Sequence, residues 1–230
     1  MKISLKSTLW YLARPGIYAE YLKKVLLAVK KRVMKPVGSG QWCRSKAMSM
    51  DDLMLKLVGG VGACPVENLS ESTNGLLLYN LAEHLQATRI IETGVARGES
   101  TRCFLTSLKN RNGKLISTDI PRPDLWVDTG CLVPDDLAEY WQLIEQPDRK
   151  ALPKALELMP KIDMCYYDSD KSYGGRMFAY PLLWNALRRG GIFVSDDIDD
   201  NFAFRDFCKN LGLQPFIAKT AARFVGVIRK

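Results

Sequence analysis

A chain of 230 residues, 47% apolar and 25% charged, has material for one well-buried core and little more. The formal charge of +8 is unevenly spread: residues 1–50 hold eleven Lys/Arg against Glu20 alone, which leaves the remainder slightly acidic. Such a body excludes a nucleic-acid groove running across it, since phosphate binding needs clustered cations. No apolar run reaches the ~18 residues of a spanning helix.

Residues 1–50 read as a basic amphipathic leader in front of a single domain, residues 51–230. Tyr18, Leu22, Val25 and Val29 share one helical face, flanked by Lys23, Lys24, Lys30, Lys31 and Arg32. That helix can pack over the body with its lysines in water, or rest on an anionic membrane surface or a partner. Pro36-Val37-Gly38-Ser39-Gly40 ends it as a loop. The expectation is a cytoplasmic protein, with peripheral contact to the inner membrane surface through the leader, because no secretory signal pattern is present. Six scattered cysteines without CxxC spacing read as small buried hydrophobes of a reducing compartment. The single histidine, His84, falls in an expected helix and is assigned a structural role.

From residue 70 onwards strands and helices alternate. Gly75–Leu85 is expected as a helix, with Ser70, Ser72, Thr73 and Asn74 as capping candidates. Ile90–Thr93 follows as a strand, Ser100–Leu108 as a helix and Leu115–Thr118 as the second strand. A polar loop from Pro121 to Pro134 leads to a helix at Asp136–Tyr140, a short strand at Leu143–Glu145 and a helix at Arg149–Met159. Ile162–Tyr167 is the fourth strand. A helix with Met177, Tyr180, Trp184 and Leu187 on one face, interrupted at Pro181, precedes the fifth strand, Ile192–Ser195. Asn201–Leu211 reads as a helix, and Phe216–Ala218 with Phe224–Ile228 as a closing hairpin. The alternation implies an α/β protein with a parallel sheet covered on both faces.

In such folds ligands bind beyond the carboxyl ends of the strands. Every one of those tips is polar here: Glu92, Gly94 and Gly98 after the first strand, Asp119 after the second, and Gln146 to Arg149 after the third. Asp168 to Lys171 follow the fourth, and Asp196 and Asp197 the fifth. The glycine turn is spaced E-x-G-x-x-x-G-x-S, from Glu92 to Ser100. It is not the G-x-G-x-x-G whose middle glycine admits a dinucleotide pyrophosphate. A cofactor with a ribose and no phosphate fits that spacing, which points to S-adenosylmethionine, with Asp119 placed to accept from the ribose hydroxyls. Carboxylates at neighbouring tips, about 4.8 Å apart, can share one cation. An all-oxygen set without His or thiolate suits Mg²⁺, Mn²⁺ or Ca²⁺. The same aspartates could instead cap helices. Lys171, beside them, can serve as a base once desolvation lowers its pKa, or merely pair with Asp168 or Asp170.

With both constellations in view, the chain resembles the class I S-adenosylmethionine-dependent methyltransferases. More narrowly it is similar to the metal-dependent O-methyltransferases of the catechol, caffeoyl-CoA and antibiotic-sugar branches. The resemblance covers about residues 70–230 and rests on three segments: Glu92-Thr93-Gly94-Val95-Ala96-Arg97-Gly98-Glu99-Ser100, Asp168-Ser169-Asp170-Lys171-Ser172-Tyr173, and Asp196-Asp197. It implies a Rossmann-like, doubly wound, seven-stranded sheet, mostly parallel with an antiparallel last strand. It also implies a cofactor site of Glu92, Gly94, Gly98, Ser100, Asp119, Asp148 and Asp168, with Asp119 on the ribose and Asp148 near the adenine. Asp168, Asp196 and Asp197 would be the metal ligands and Lys171 the general base. Two features depart from the pattern: Asp196-Asp197 stands where catechol-type members carry Asp-Asn, and Tyr173 falls one place early relative to the caffeoyl-CoA type. The expected reaction is methyl transfer to a hydroxyl of a small molecule or glycan. Two other readings are a non-catalytic cofactor-binding module and, on the same fold, an NAD-dependent oxidoreductase.

Overall fold

The computed structural model describes residues 38–70, 74–120, 128–220 and 223–230. The leader helix around Tyr18–Val29, the capping candidates Ser72 and Thr73, and the first half of the Pro121–Pro134 loop, 121–127, lie outside the described residues. The chain runs α1 (Ser39–Lys46), α2 (Met50–Val58), α3 (Gly75–Leu85), β1 (Arg89–Thr93), α4 (Glu99–Lys109) and β2 (Lys114–Thr118). A 3₁₀ turn (Asp135–Tyr140) then leads to β3 (Trp141–Ile144), α5 (Asp148–Leu158), β4 (Ile162–Tyr167), α6 (Tyr173–Ala186) and β5 (Leu187–Ser195). A second 3₁₀ turn (Ile198–Asp200), α7 (Ala203–Asn210), β6 (Phe216–Lys219) and β7 (Phe224–Arg229) complete it.

The seven strands form one sheet in the order β3-β2-β1-β4-β5-β7-β6. β1 to β5 are mutually parallel, and β7 runs antiparallel to both of its neighbours, β5 and β6. Successive side chains of a strand point to opposite faces, and the apolar runs here divide accordingly. Ile91 and Cys165 join the layer containing α5, α6 and α7. Ile90, Met164 and Tyr166 join the layer containing α2, α3 and α4. Every residue of β4 is buried, as a central strand covered on both faces requires. The reversal of strand order falls between β1 and β4, where such sheets open a crevice at the carboxyl ends of their strands.

The structure corrects three local expectations. The loop read at 36–40 gives way to a helix at Ser39, whose hydroxyl donates to the Asp199 carbonyl at 2.7 Å. Cys43 of this helix lies in the core, and Met48 bridges to Ala218, so residues 39–48 are built into the body. α2 carries a legible start and stop: Ser49 accepts from the Asp52 N–H, and Gly59 closes the helix in a left-handed conformation. Leu187, expected on the face of α6, instead opens β5 and pairs with Ile162, ahead of a register shift that runs to Met164. All six cysteines are free and four are buried; Cys131 is exposed.

Asp163 sits at that register shift and fastens three segments. It accepts from the Thr88 and Arg89 N–H groups at 3.0 and 2.9 Å and from Arg188 Nε at 2.7 Å. Burial pushes its carboxyl up, but the Thr88 amide, the two guanidinium groups and the Arg89 amide outweigh this and hold it below the ordinary value. A folded-state pKa below the unfolded one adds stability that is complete above about pH 4. That stability is lost as pH falls through the folded value. Asp163→Asn is therefore expected to lower stability by about 1.5–3 kcal/mol at neutral pH. Urea melts at pH 7 and pH 3 check this, and the gap between the two chains should narrow at the lower pH.

Candidate active site

The crevice begins at the turn after β1. Gly94 donates its N–H to Thr118 O at 2.8 Å, which carries the ladder one step past both strands. Its φ of +83° is one that side-chain-bearing residues rarely adopt. A Cβ there would lie 2.4 Å from the Asp168 carbonyl oxygen. The space left by the missing side chain is thus taken by the tip of β4. Gly98, with φ of +94°, closes the turn in the same way against Gly130 and Val133.

Two acids brace this turn. Asp119 Oδ2 accepts from the Val95 and Ala96 N–H groups at 2.8 and 2.7 Å, and Oδ1 accepts from Ile120 N–H at 2.6 Å. A carboxylate has about four acceptor sites, so Asp119 retains capacity for ribose hydroxyls. Glu92 is fully buried and accepts from the hydroxyls of Ser100, Thr101 and Ser117 at 2.5, 2.8 and 2.8 Å. Burial pushes its carboxyl up to about 7, against the pull of those three donors. Glu92 and Ser100 thus tie the first turn of α4 to the strands beneath the glycine turn.

Asp148 begins α5 and is buried. It accepts from Ser169 Oγ at 2.5 Å and from Tyr167 Oη at 3.3 Å, and Ser169 Oγ can in turn accept from the Thr93 hydroxyl 2.9 Å away. The tips of β1, β3 and β4 are joined in this way. Asp168 N–H donates to Thr93 O at 2.9 Å and Asp196 N–H to Tyr167 O at 3.0 Å, which aligns the β1, β4 and β5 tips side by side.

Asp168, Asp196 and Asp197 each direct one carboxylate oxygen into a common spot, with the three atoms within 4.8 Å of one another. Lys171 Nζ pairs with Asp168 Oδ1 and lies 3.2 Å from Asp197 Oδ2. Burial lowers the Lys171 pKa, against the opposing pull of Asp197 and Asp196. Burial raises Asp196, and the neighbouring Asp197 charge raises it further, although Lys171 opposes both. For Asp197, burial is outweighed by Lys171 and Arg223, and its carboxyl is held low. Two acids with opposite shifts beside a lysine of depressed pKa are a frequent mark of a working site. The cap of α6 is Ser172, which accepts from Gly175 N–H at 2.9 Å, while Asp170 accepts from the Ser172 N–H at 2.9 Å.

Sequence reasoning passed over three side chains at this spot. Asn74, at the start of α3, donates through Nδ2 to Asp196 Oδ1 at 3.0 Å and to Tyr166 Oη at 3.2 Å. Its Oδ1 is buried and has no partner among the described residues. Arg223 reaches in from the β6–β7 hairpin to Asp197 and Asp199, both at 3.2 Å, and pairs with Asp200. Arg176 of α6 is fully buried beneath Asp196 and Asp197. Asn74 was legible only as a helix cap. The two arginines carried no local signal, because the aspartates they reach lie 20 or more positions away in sequence.

A seven-stranded sheet of this order with one antiparallel strand, a glycine turn after β1 and acids at the β2, β4 and β5 tips together define the class I methyltransferase fold. Residues 91–198 match the family model of a methyltransferase domain, so the match spans β1 to the second 3₁₀ turn and contains every site residue the sequence singled out. The stretch from β1 to the second 3₁₀ turn is thus similar to a methyltransferase domain. Among solved structures it is similar to the O-methyltransferase of Bacillus cereus in complex with S-adenosylhomocysteine, with TM-score 0.57 and 14% identity over 82% of this chain and 100% of that one. It is also similar to TomG of Streptomyces achromogenes, an O-methyltransferase involved in tomaymycin synthesis, in complex with S-adenosylmethionine. There the TM-score is 0.56 with 16% identity, over 78% of this chain and 95% of that one. A third is the methyltransferase PaMTH1 of Podospora anserina, bound to S-adenosylhomocysteine, with TM-score 0.54, 13% identity and coverage of 82% and 92%. No curated protein matches the chain.

Proposed function

We propose that the protein transfers a methyl group from S-adenosylmethionine to a hydroxyl of a small molecule or glycan, with a divalent cation held by Asp168, Asp196 and Asp197. The observation that carries this reading is the double position of Asp168. Its backbone seals against the glycine turn at Gly94, while its carboxylate belongs to the acidic cluster. Methyl donor and acceptor would therefore meet at one strand tip.

The donor set fits Mg²⁺ or Mn²⁺: three carboxylate oxygens already converge, and Asn74, which donates to Asp196, has a buried Oδ1 with no partner among the described residues. When bound, such a cation would polarise and orient the acceptor oxygen. The remaining work falls to this chain's own groups. The turn between Gly94 and Gly98, braced by Asp119 and Glu92, holds the donor. Asp148, Ser169 and Thr93 fix the adjoining wall. Lys171, its ammonium destabilised by burial, takes the hydroxyl proton at Nζ. The sulfonium is a good leaving group in its own right, so alignment supplies most of the acceleration, of order 7–11 kcal/mol for well-held partners.

One observation favours a second reading. The Lys171 ammonium already stands between Asp168 and Asp197 and supplies a positive charge there without any metal. The deciding experiment is calorimetric titration of S-adenosylhomocysteine and of Mn²⁺ into the purified chain, alongside turnover of S-adenosylmethionine with a panel of hydroxylated acceptors. Expected are saturable binding of both, and turnover lost in EDTA and restored by Mn²⁺. Turnover that persists in EDTA removes the metal and leaves methyl transfer standing. No heat from S-adenosylhomocysteine removes the reading altogether.

A further inference from the structure

An acidic pair such as Asp196-Asp197 presents a geometric difficulty. In an extended chain consecutive side chains point to opposite faces, so two adjacent aspartates leaving β5 would diverge. Here both carboxylates reach the same cluster, because Asp197 adopts a left-handed conformation with φ of +50°. That turn ends the strand's regular pairing and directs the carbonyls of Asp196 and Asp197 into the protein interior.

The group that meets them is the Arg176 guanidinium. Nη2 donates to the carbonyls of Asp196 and Asp197 at 3.1 and 2.9 Å. Nη1 donates to Tyr180 Oη at 2.9 Å and reaches Ser195 Oγ at 3.4 Å. Tyr180 and Ser195 are themselves 2.7 Å apart, so the fork is anchored on α6 and on the last residue of β5. Arg176 is 0% exposed, all four of these partners are uncharged groups, and its Nε has none among the described residues. An isolated buried cation is costly. A planar fork, unlike a lysine ammonium, can hold two successive carbonyls in a fixed relation.

We propose that Arg176 is a positioning residue of the active site: by clamping the carbonyls of Asp196 and Asp197 it holds the left-handed turn that brings both carboxylates to bear on the acceptor. The inference rests on the reading that these two acids work in the site. It predicts that loosening the clamp damages the acidic cluster and spares the donor-binding turn, which Arg176 does not touch.

The test compares the full chain with Arg176→Lys, which keeps the charge and loses the fork, and with Tyr180→Phe, which keeps the ring packing and removes one anchor. Three quantities are measured: S-adenosylhomocysteine affinity, Mn²⁺ affinity, and amide hydrogen exchange at residues 196–198 against the rest of the sheet. Arg176→Lys should weaken Mn²⁺ about 10–100-fold, the range for a group that orients a ligand from behind. It should also speed exchange at 196–198 selectively and leave S-adenosylhomocysteine affinity within about twofold. Tyr180→Phe should move the same readouts in the same direction by less, and it decides the matter if Arg176→Lys does not fold. Unchanged protection at 196–198 overturns the proposal. So does a loss of protection spread evenly over the sheet with both ligands weakened alike, which marks a stability role only. If the parent binds S-adenosylhomocysteine and no Mn²⁺, the metal reading fails while the exchange pattern still decides the role of Arg176. If the parent binds neither, the methyltransferase reading fails and exchange decides in the same way.

Discussion

Lys171→Met is expected to lower turnover about 10²–10⁴-fold, the usual contribution of a positioned base, while leaving S-adenosylhomocysteine affinity within about twofold. The split follows from what Lys171 touches. Its Nζ contacts Asp168 and Asp197, and no contact runs to the glycine turn or to Asp119. Methionine keeps the length and apolar stem of the side chain, so packing at the start of α6 is preserved and only the nitrogen is lost. Removing an acceptor for the hydroxyl proton should lower kcat in proportion to kcat/KM and leave the acceptor's KM little changed. The pH profile adds a second check. Burial places the Lys171 pKa below that of a free lysine, so parental activity should rise with pH as the amine loses its proton. Lys171→Met should flatten that limb. Equal loss of cofactor binding and turnover would instead assign Lys171 to holding the acidic cluster together.

How far the sequence reveals this site depends on the range of the interactions that build it. The glycine turn and the acids at the tips are local features, set by where apolar runs end, and they were placed correctly from β1 to β5. Parallel strands buried on both faces read clearly because Ile90-Ile91 and Met164–Tyr167 are unbroken apolar or aromatic runs. α1 was hidden by Gly38-Ser39-Gly40, a breaker by composition that becomes a helix start once Ser39 bonds to Asp199, 160 positions away. α2 had readable signals in Ser49, Asp52 and Gly59, yet an amphipathic stretch of nine residues stands out poorly beside a basic leader. Leu187 continued the helical spacing of α6 and was claimed by β5, where pairing with Ile162 outweighs periodicity. Lys171 and Asp168 are three positions apart and could be paired by inspection. Arg176, Asn74 and Arg223 could not, because the fold alone brings them to the acids.

Gly94→Ala should cripple donor binding. A left-handed conformation costs an L-residue about 1–2 kcal/mol. The added methyl would also lie 2.4 Å from Asp168 O and 2.7 Å from its carbonyl carbon. That neighbour is backbone, fixed by the bond from Asp168 N–H to Thr93 O at 2.9 Å, so it cannot swing away as a side chain would. Relief requires the β1 and β4 tips to part. Forcing a methyl into a packed position typically costs a further 1–3 kcal/mol or so. Together these amount to about 2–5 kcal/mol, or roughly 30- to several-thousandfold in affinity if the strain falls on the donor-binding turn. Because Asp168 belongs to the acidic cluster, Mn²⁺ affinity should fall with it, which distinguishes this substitution from Arg176→Lys. Gly174→Ala is the control: a Cβ there meets nothing within 4 Å, and helix propensity favours the change by about 0.5–1 kcal/mol. Calorimetry with S-adenosylhomocysteine and Mn²⁺ on both variants checks this. Parental affinities in Gly94→Ala would mean that the turn and the β4 tip move independently, and that Asp168 does not join the two halves of the site.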